Sequence, residues 1–182
     1  PGTYNVKVTN ESGCTVEGMD QVVGSDSRPS VSYQSVVHNC NSDGGTININ
    51  VGGSGTYNYE WREVVNGNPI GPVVSQSKNL ITSGVATYKV TVTDVNNSNC
   101  WSTPSNGRRL FEAFSIDPIC EARPQGDYRL NARANGGSSN IDYQWSNGKT
   151  TGTFNTSQPG TYSVTVTDQT TGCPSLTGSA TC

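Results

Sequence analysis

Pro159-Gly160-Thr161-Tyr162-Ser163-Val164-Thr165-Val166-Thr167-Asp168, closing at Gly172-Cys173, decides the fold because it recurs. Pro1-Gly2-Thr3-Tyr4-Asn5-Val6-Lys7-Val8-Thr9-Asn10 leads to Gly13-Cys14. Ala86-Thr87-Tyr88-Lys89-Val90-Thr91-Val92-Thr93-Asp94 leads to Asn99-Cys100. In each copy a Tyr and two Val stand at i, i+2 and i+4 with polar residues between them. That alternation is the pattern of a strand with one face buried and one in water. A cluster of turn-forming residues and a cysteine then end it. Three copies in 182 residues describe a tandem array.

The bulk composition agrees with short strands and polar turns. Hydrophobic residues make up 31% of the chain and charged residues 14%, with 21 Gly and 9 Pro. Disorder pairs low hydrophobicity with high net charge, whereas the net charge here is −3 and the aromatic residues fall at regular places. No helical period runs longer than a turn or two. The scattered Lys and Arg make no basic face for nucleic acid, and no apolar run approaches a membrane span. The chain opens in mid-repeat and shows no signal peptide, so it reads as a fragment or mature segment. The six Cys contain no CxxC pair and accompany one His, which speaks against a metal site. An even cysteine count in a small-core β chain points to disulfides and export.

Along the chain, residues 1–26 read as the closing strands of a preceding unit, with a linker by composition from Gly24 to Pro29. Residues 27–106 form one full unit. Its strands are Ser30–Val37, Thr46–Val51, Tyr57–Trp61, a short strand in Val73–Thr82, and the Tyr88 strand. Asn66-Gly67 within it is a hairpin signal. Residues 107–182 repeat the plan: Leu110–Ile116 as first strand, Cys120 in the place of Cys40, and Tyr128, Leu130, Ala132 and Ala134 alternating. Tyr143-Gln144-Trp145 then matches Tyr59-Glu60-Trp61. The first unit carries about ten extra residues after its Trp, around Asn66-Gly67.

Short strands, regular turns and an inward Trp on the third strand predict an all-β fold of tandem immunoglobulin-like β-sandwiches. Trp61, Trp145, Tyr88 and Tyr162 are the expected core, and Tyr4, Tyr88 and Tyr162 are candidates for tyrosine corners.

The Cys-x-x-x-Gly-Gly turn before Thr46-Ile47-Asn48-Ile49, then Tyr-x-Trp, then Gly-Thr-Tyr-x-Val-Thr-Val-Thr-Asp and Gly-Cys, resembles a known family. These are the SprB-type repeats of giant Bacteroidetes cell-surface and gliding-motility adhesins. The likeness covers nearly the whole chain in two and a bit copies. The second unit departs in lacking Gly-Gly after Cys120, and the first has Gly84-Val85-Ala86 in place of Pro-Gly. The resemblance implies Ig-like modules, export by type IX secretion, extracellular display at the cell surface, and adhesion or spacing as the role.

Residues with chemistry read mostly as scaffold. His38 has no orienting acid or cleft implied by its spacing. Glu60, Glu63, Asp117 and Glu121 read as surface charges. Asp94 and Asp168 open oxygen-rich loops, but a calcium loop brings more carboxylates than one, so each reads as a turn former. No catalytic residue, metal or cofactor is expected. Trp101 is the one Trp off the core pattern; it reads as packing at an inter-unit junction, with ligand contact as the rival reading.

Cys14, Cys40, Cys100, Cys120, Cys173 and Cys182 are the disulfide candidates. In an Ig-like sandwich Cys40 and Cys100 lie at opposite poles, about 23 Å apart across seven strand residues. A disulfide needs Cα atoms within about 7 Å. Cys40 can meet Cys173 where one unit abuts the next, and pairing within units stays open beside it. The expected partners are neighbouring repeats, surface glycans or other cell-surface proteins, with no nucleic acid and no membrane insertion. The rival function is a carbohydrate-binding accessory module of a secreted enzyme, whose groove would use Trp101 or the Asn66–Pro72 hairpin.

Overall fold

The computed structural model describes residues 2–4, 6–18, 21–23 and 28–182. Residues 24–27 of the expected linker lie outside them. Among the described residues every regular element is a strand. The upstream piece holds β1 (Gly2–Tyr4), β2 (Lys7–Thr9), β3 (Thr15–Glu17) and β4 (Gln21–Val23). β1 pairs with β4 and β2 with β3, all antiparallel.

The first full unit holds β5 (Ser30–His38), β6 (Gly45–Gly52), β7 (Tyr57–Val65), β8 (Asn68–Pro69), β9 (Leu80–Thr82), β10 (Thr87–Asp94), β11 (Asn97–Ser102) and β12 (Arg108–Arg109). One sheet runs β5-β6-β9 and the other β11-β10-β7-β8, with β12 also on β10. The second unit holds β13 (Ser115–Ile116), β14 (Ile119–Ala122), β15 (Tyr128–Asn131), β16 (Ala134–Asn135), β17 (Ile141–Trp145), β18 (Thr153–Thr156), β19 (Thr161–Asp168) and β20 (Leu176–Thr181). Its faces are β14-β15-β18, with β13-β16 continuing them, against β17-β19-β20. Each unit is thus an immunoglobulin-like sandwich of two antiparallel sheets.

The repeated strand sets the same register in both. Val90 faces Trp61 and Val92 faces Tyr59; Val164 faces Trp145 and Val166 faces Tyr143. Period two turns these side chains inward together. Trp61, Tyr88, Val90, Val92, Ile47, Ile49, Leu80 and Leu110 form one buried cluster. Trp145, Val164, Val166, Leu130, Ala132, Phe114 and Ala180 form the other. The indole N–H of Trp61 donates to the Ser77 carbonyl at 3.0 Å, and that of Trp145 to the Thr151 carbonyl at 2.9 Å. A buried donor is thereby satisfied in each core.

Leu110 sits differently from expectation. It packs in the first cluster rather than opening the second unit, whose first strand is only Ser115–Ile116 and Ile119–Ala122. Asn66 and Gly67 take φ of 52° and 81°, the backbone of a two-residue hairpin, and join β7 to β8. The extra residues beyond it return along the sheet, where the Trp61 N–H donates to the Ser75 carbonyl and the Val74 N–H to the Trp61 carbonyl.

Candidate functional site: the junction between the two sandwiches

The two units meet at the turn between β5 and β6. Gly44 has φ of 83°, and a Cβ there would lie 2.0 Å from the Thr82 carbonyl oxygen. Only glycine permits that approach. So seated, Gly44 donates its N–H to the Phe111 carbonyl at 3.0 Å. One residue earlier, the Asp43 carboxylate accepts the Ala113 N–H at 2.8 Å. From the other side, the Glu112 carbonyl accepts the Gly137 N–H at 3.1 Å. Residues 111–113 are therefore held by both sandwiches. The Phe111 ring lies 5.2 Å from the His38 ring and 5.4 Å below the Arg109 guanidinium.

A covalent bond crosses the same junction. Cys40 is bonded to Cys173, with Cα atoms 5.5 Å apart. A second disulfide joins Cys120 to Cys182 within the second unit, linking β14 in one sheet to the end of β20 in the other. Neither bond pairs Cys40 with Cys100 or Cys120 with Cys173. Cys100 lies in β11, whose Asn97 end pairs with Asp94 at the pole away from the junction. Cys14 is an exposed thiol after the Asn10 turn, and neither it nor the half-buried Cys100 belongs to these two bonds.

Cys120 is not the counterpart of Cys40. Ile47 faces Leu80 and Leu130 faces Phe154, so Leu130 corresponds to Ile47. Across the adjoining ladder Val36 faces Ile47 and Cys120 faces Leu130. Cys120 thus occupies the strand position of Val36. The two turns differ: the first closes from Asn39 to Gly44 and the second from Arg123 to Asp127. That is also why no Gly-Gly follows Cys120.

The titratable groups at the junction have structural work. Burial lowers the His38 pKa from its ordinary value, against the opposing pull of the Asp168 carboxylate. Its Nδ1 is buried without a hydrogen-bond partner. Asp168 is buried; desolvation pushes its pKa up, and hydrogen bonds outweigh that and hold it below the usual value. Those bonds come from the Ser138 N–H and hydroxyl, both at 2.6 Å, and from the Thr170 and Thr171 N–H groups at 2.9 and 3.3 Å. A carboxylate surrounded by donors is a turn anchor, since a cation would need the lone pairs those donors use. Asp94 makes the equivalent bond to the Asn96 N–H at 2.8 Å. Among the described residues no three His, Cys, Asp or Glu side chains gather as a metal site requires.

The remaining candidates are dispersed. Glu60 is paired with Arg62 at 3.1 Å and Asp117 with Arg133 at 3.6 Å. Tyr162 donates its hydroxyl to the Gln158 carbonyl at 3.0 Å, a tyrosine corner. Tyr88 is buried, its pKa raised by that burial; the side chain of Tyr4 lies outside the described residues. Trp101, on β11, pairs with Thr93 of β10 and is 53% exposed, beside Arg28, Asn99, Ser102 and Thr103 around an open cavity of about 280 Å3. It stands at the pole away from the Cys40–Cys173 bond. Ile70 after the hairpin is exposed as well. Sequence reasoning did not find Asp43, Gly44 or Phe111, whose bonds join residues far apart in the chain; the positive φ implied by Gly44-Gly45 was the only local signal.

No protein-family model matches the chain, and no curated protein matches it. Solved structures do, several of them of tandem Ig domains. Dscam1 isoform 9.44, in its N-terminal four Ig domains with zinc, matches at TM-score 0.48 and 14% identity over 98% of this chain and 54% of that one. A Dscam structure addressing isoform specificity matches at TM-score 0.45 and 11% identity over 98% and 53%. Three N-terminal domains of the bacteriophage RB49 outer capsid protein Hoc match at TM-score 0.34 and 18% identity over 84% and 58%. This chain therefore spans little more than half of each. None of these likenesses is near enough to lend its role to this chain.

Proposed function

We propose that the chain is a non-enzymatic repeat segment of an exported cell-surface adhesin or filament, serving as stalk and adhesion spacer in the manner of SprB-type gliding-motility adhesins delivered by type IX secretion. The observation that carries this reading is the junction. Two sandwiches joined by a disulfide and by backbone bonds on both sides of residues 111–113 hold one direction, as a spacer must. Disulfides fit an oxidising, extracellular location. Residues 1–26 are then the closing strands of an earlier repeat: Val6 and Val8 are 59% and 63% exposed, where their counterparts Val90 and Val92 are fully buried. The burial of Leu110 supports placing the seam between the next two repeats after it, later than the 106/107 division expected from sequence. Its partners are neighbouring repeats and, through the parent protein, glycans or proteins of the surface it meets.

The test replaces residues 28–182 in the parent adhesin with an unrelated rigid pair of domains of equal length. A spacer tolerates the exchange, and cells adhere as before. Loss of adhesion on exchange, together with loss in Trp101→Ala, would instead establish the carbohydrate-binding reading.

A further inference from the structure

The direction of two strands gives the Cys40–Cys173 bond a mechanical meaning. β5 runs toward the junction: Ser30 faces Gly52 at the outer pole, and His38 faces Gly45 beside the Gly44–Phe111 contact. β20 runs away from it: Leu176 faces Val166, Thr181 faces Thr161, and the Cys182 N–H reaches the Gly160 carbonyl at the far pole. Cys40 follows β5 closely and Cys173 shortly precedes β20. The disulfide therefore joins, end to end, the first strand of one sandwich to the last strand of the next.

We propose that this splice is the load path of the segment: tension applied to the chain runs along β5, through the Cys40–Cys173 bond, and along β20. The span between the two cysteines, a sequence separation of 133 that includes Trp61 and Trp145, lies off that path. Both strands are already extended in the fold, so the path is close to taut before any load arrives. From Ser30 to Cys182 it contains roughly 19 backbone steps, at most about 70 Å. The unspliced chain between the same residues would reach about 530 Å. Hydrogen-bonded sandwiches yield length as they unfold; a covalent splice in line with the force does not. The second disulfide plays no part in this, because Cys120 lies inside the bypassed span. This inference concerns connectivity and holds whatever the parent protein adheres to.

The experiment is single-molecule extension of the full oxidised chain held at its two ends, with the upstream residues contributing equally in every case. The native chain is expected to lengthen over residues 30–182 to no more than about 70 Å. Cys120→Ser/Cys182→Ser is expected to reach the same limit. Cys40→Ser/Cys173→Ser, still closed by the second bond, gains about 250 Å, and removal of all four cysteines gains about 460 Å. Greater extension of the native chain with its bonds intact overturns the proposal, and that measurement requires no variant to fold. So does a gain in Cys120→Ser/Cys182→Ser alone, or non-reducing peptide mapping that joins Cys40 to another cysteine.

Discussion

Cys182 occupies in the second sandwich the place that Leu110 holds in the first. The Leu110 N–H donates to the Ala86 carbonyl and the Cys182 N–H to the Gly160 carbonyl, each at 2.9 Å, and Ala86 and Gly160 both precede the repeated Thr-Tyr. Their opposite numbers correspond too, Val36 facing Ile47 and Cys120 facing Leu130. Val36 and Leu110 belong to the first core, whereas Cys120 and Cys182 close the second with a covalent bond.

That equivalence predicts a substitution. Cys120→Val/Cys182→Leu should fold, because it installs the first unit's own pair. Losing a cross-link over a separation of 62 residues frees the unfolded chain by about 4 kcal/mol, and the added apolar burial returns about 1–3 kcal/mol. Urea unfolding should place the apolar pair above Cys120→Ser/Cys182→Ser in midpoint and below the native chain. Equal midpoints for the two variants would contradict the equivalence.

Trp61→Ala and Trp145→Ala should each cost about 3–5 kcal/mol. Each removes a fully buried ring and leaves the carbonyl of Ser77 or Thr151 without its donor. The loss should be confined to one unit, so amide exchange in Trp145→Ala should accelerate across β14–β20 while β6, β7 and β10 stay protected. Exchange rising equally in both units would show that they unfold as one.

The strands and cores were legible because their cause is local. Alternation at Tyr88-Val90-Val92 and Tyr162-Val164-Val166 commits one face to burial wherever the strand lies, and Asn66-Gly67 dictates its hairpin through its own backbone. The difference between Cys40 and Cys120 was not legible, since a cysteine before an apolar strand looks the same in a turn as within the ladder. Leu110 reads as part of the later unit for a similar reason: its apolar side chain fits the end of one sandwich or the start of the next, and no local pattern reports its bond to Ala86. The junction depends on Asp43 meeting Ala113, 70 residues away, which no periodicity reports.

Gly44→Ala should loosen the junction. The new Cβ would meet the Thr82 carbonyl oxygen at 2.0 Å, so the backbone must shift and the Gly44–Phe111 bond with it. Gly148 has the same φ of 83° with nothing within 4 Å of the added atom. Its alanine variant should therefore cost about 1 kcal/mol, the conformational penalty alone, and Gly44→Ala distinctly more. Thermal unfolding of the two side by side separates the contact from the strain.

Acidification should weaken the fold first through His38. Burial holds the His38 pKa below 6.5, despite Asp168 nearby. As pH drops through about 6.5 the unfolded chain takes up a proton that the folded chain refuses, so stability is full above that value and declines toward the lowered one. A melting series from pH 7.5 to 5 should show this decline, and His38→Phe should flatten it. A further loss belongs to Asp168, whose folded pKa lies below 3.8: its contribution is present above that value and disappears as pH falls through the folded one. An unchanged slope in His38→Phe would assign the decline elsewhere.

The separation of Cys40 from Cys173 also orders events in time. A chain made from its amino end presents Cys40 when its partner is still 133 residues from existing, and contacts that distant in sequence form late. The first sandwich must therefore mature with that thiol unspent, and oxidation can finish only when the second has been built and docked in the right orientation. The bond thereby records completed assembly: a chain in which Cys40 is joined to Cys173 is one whose second domain has already been put in place.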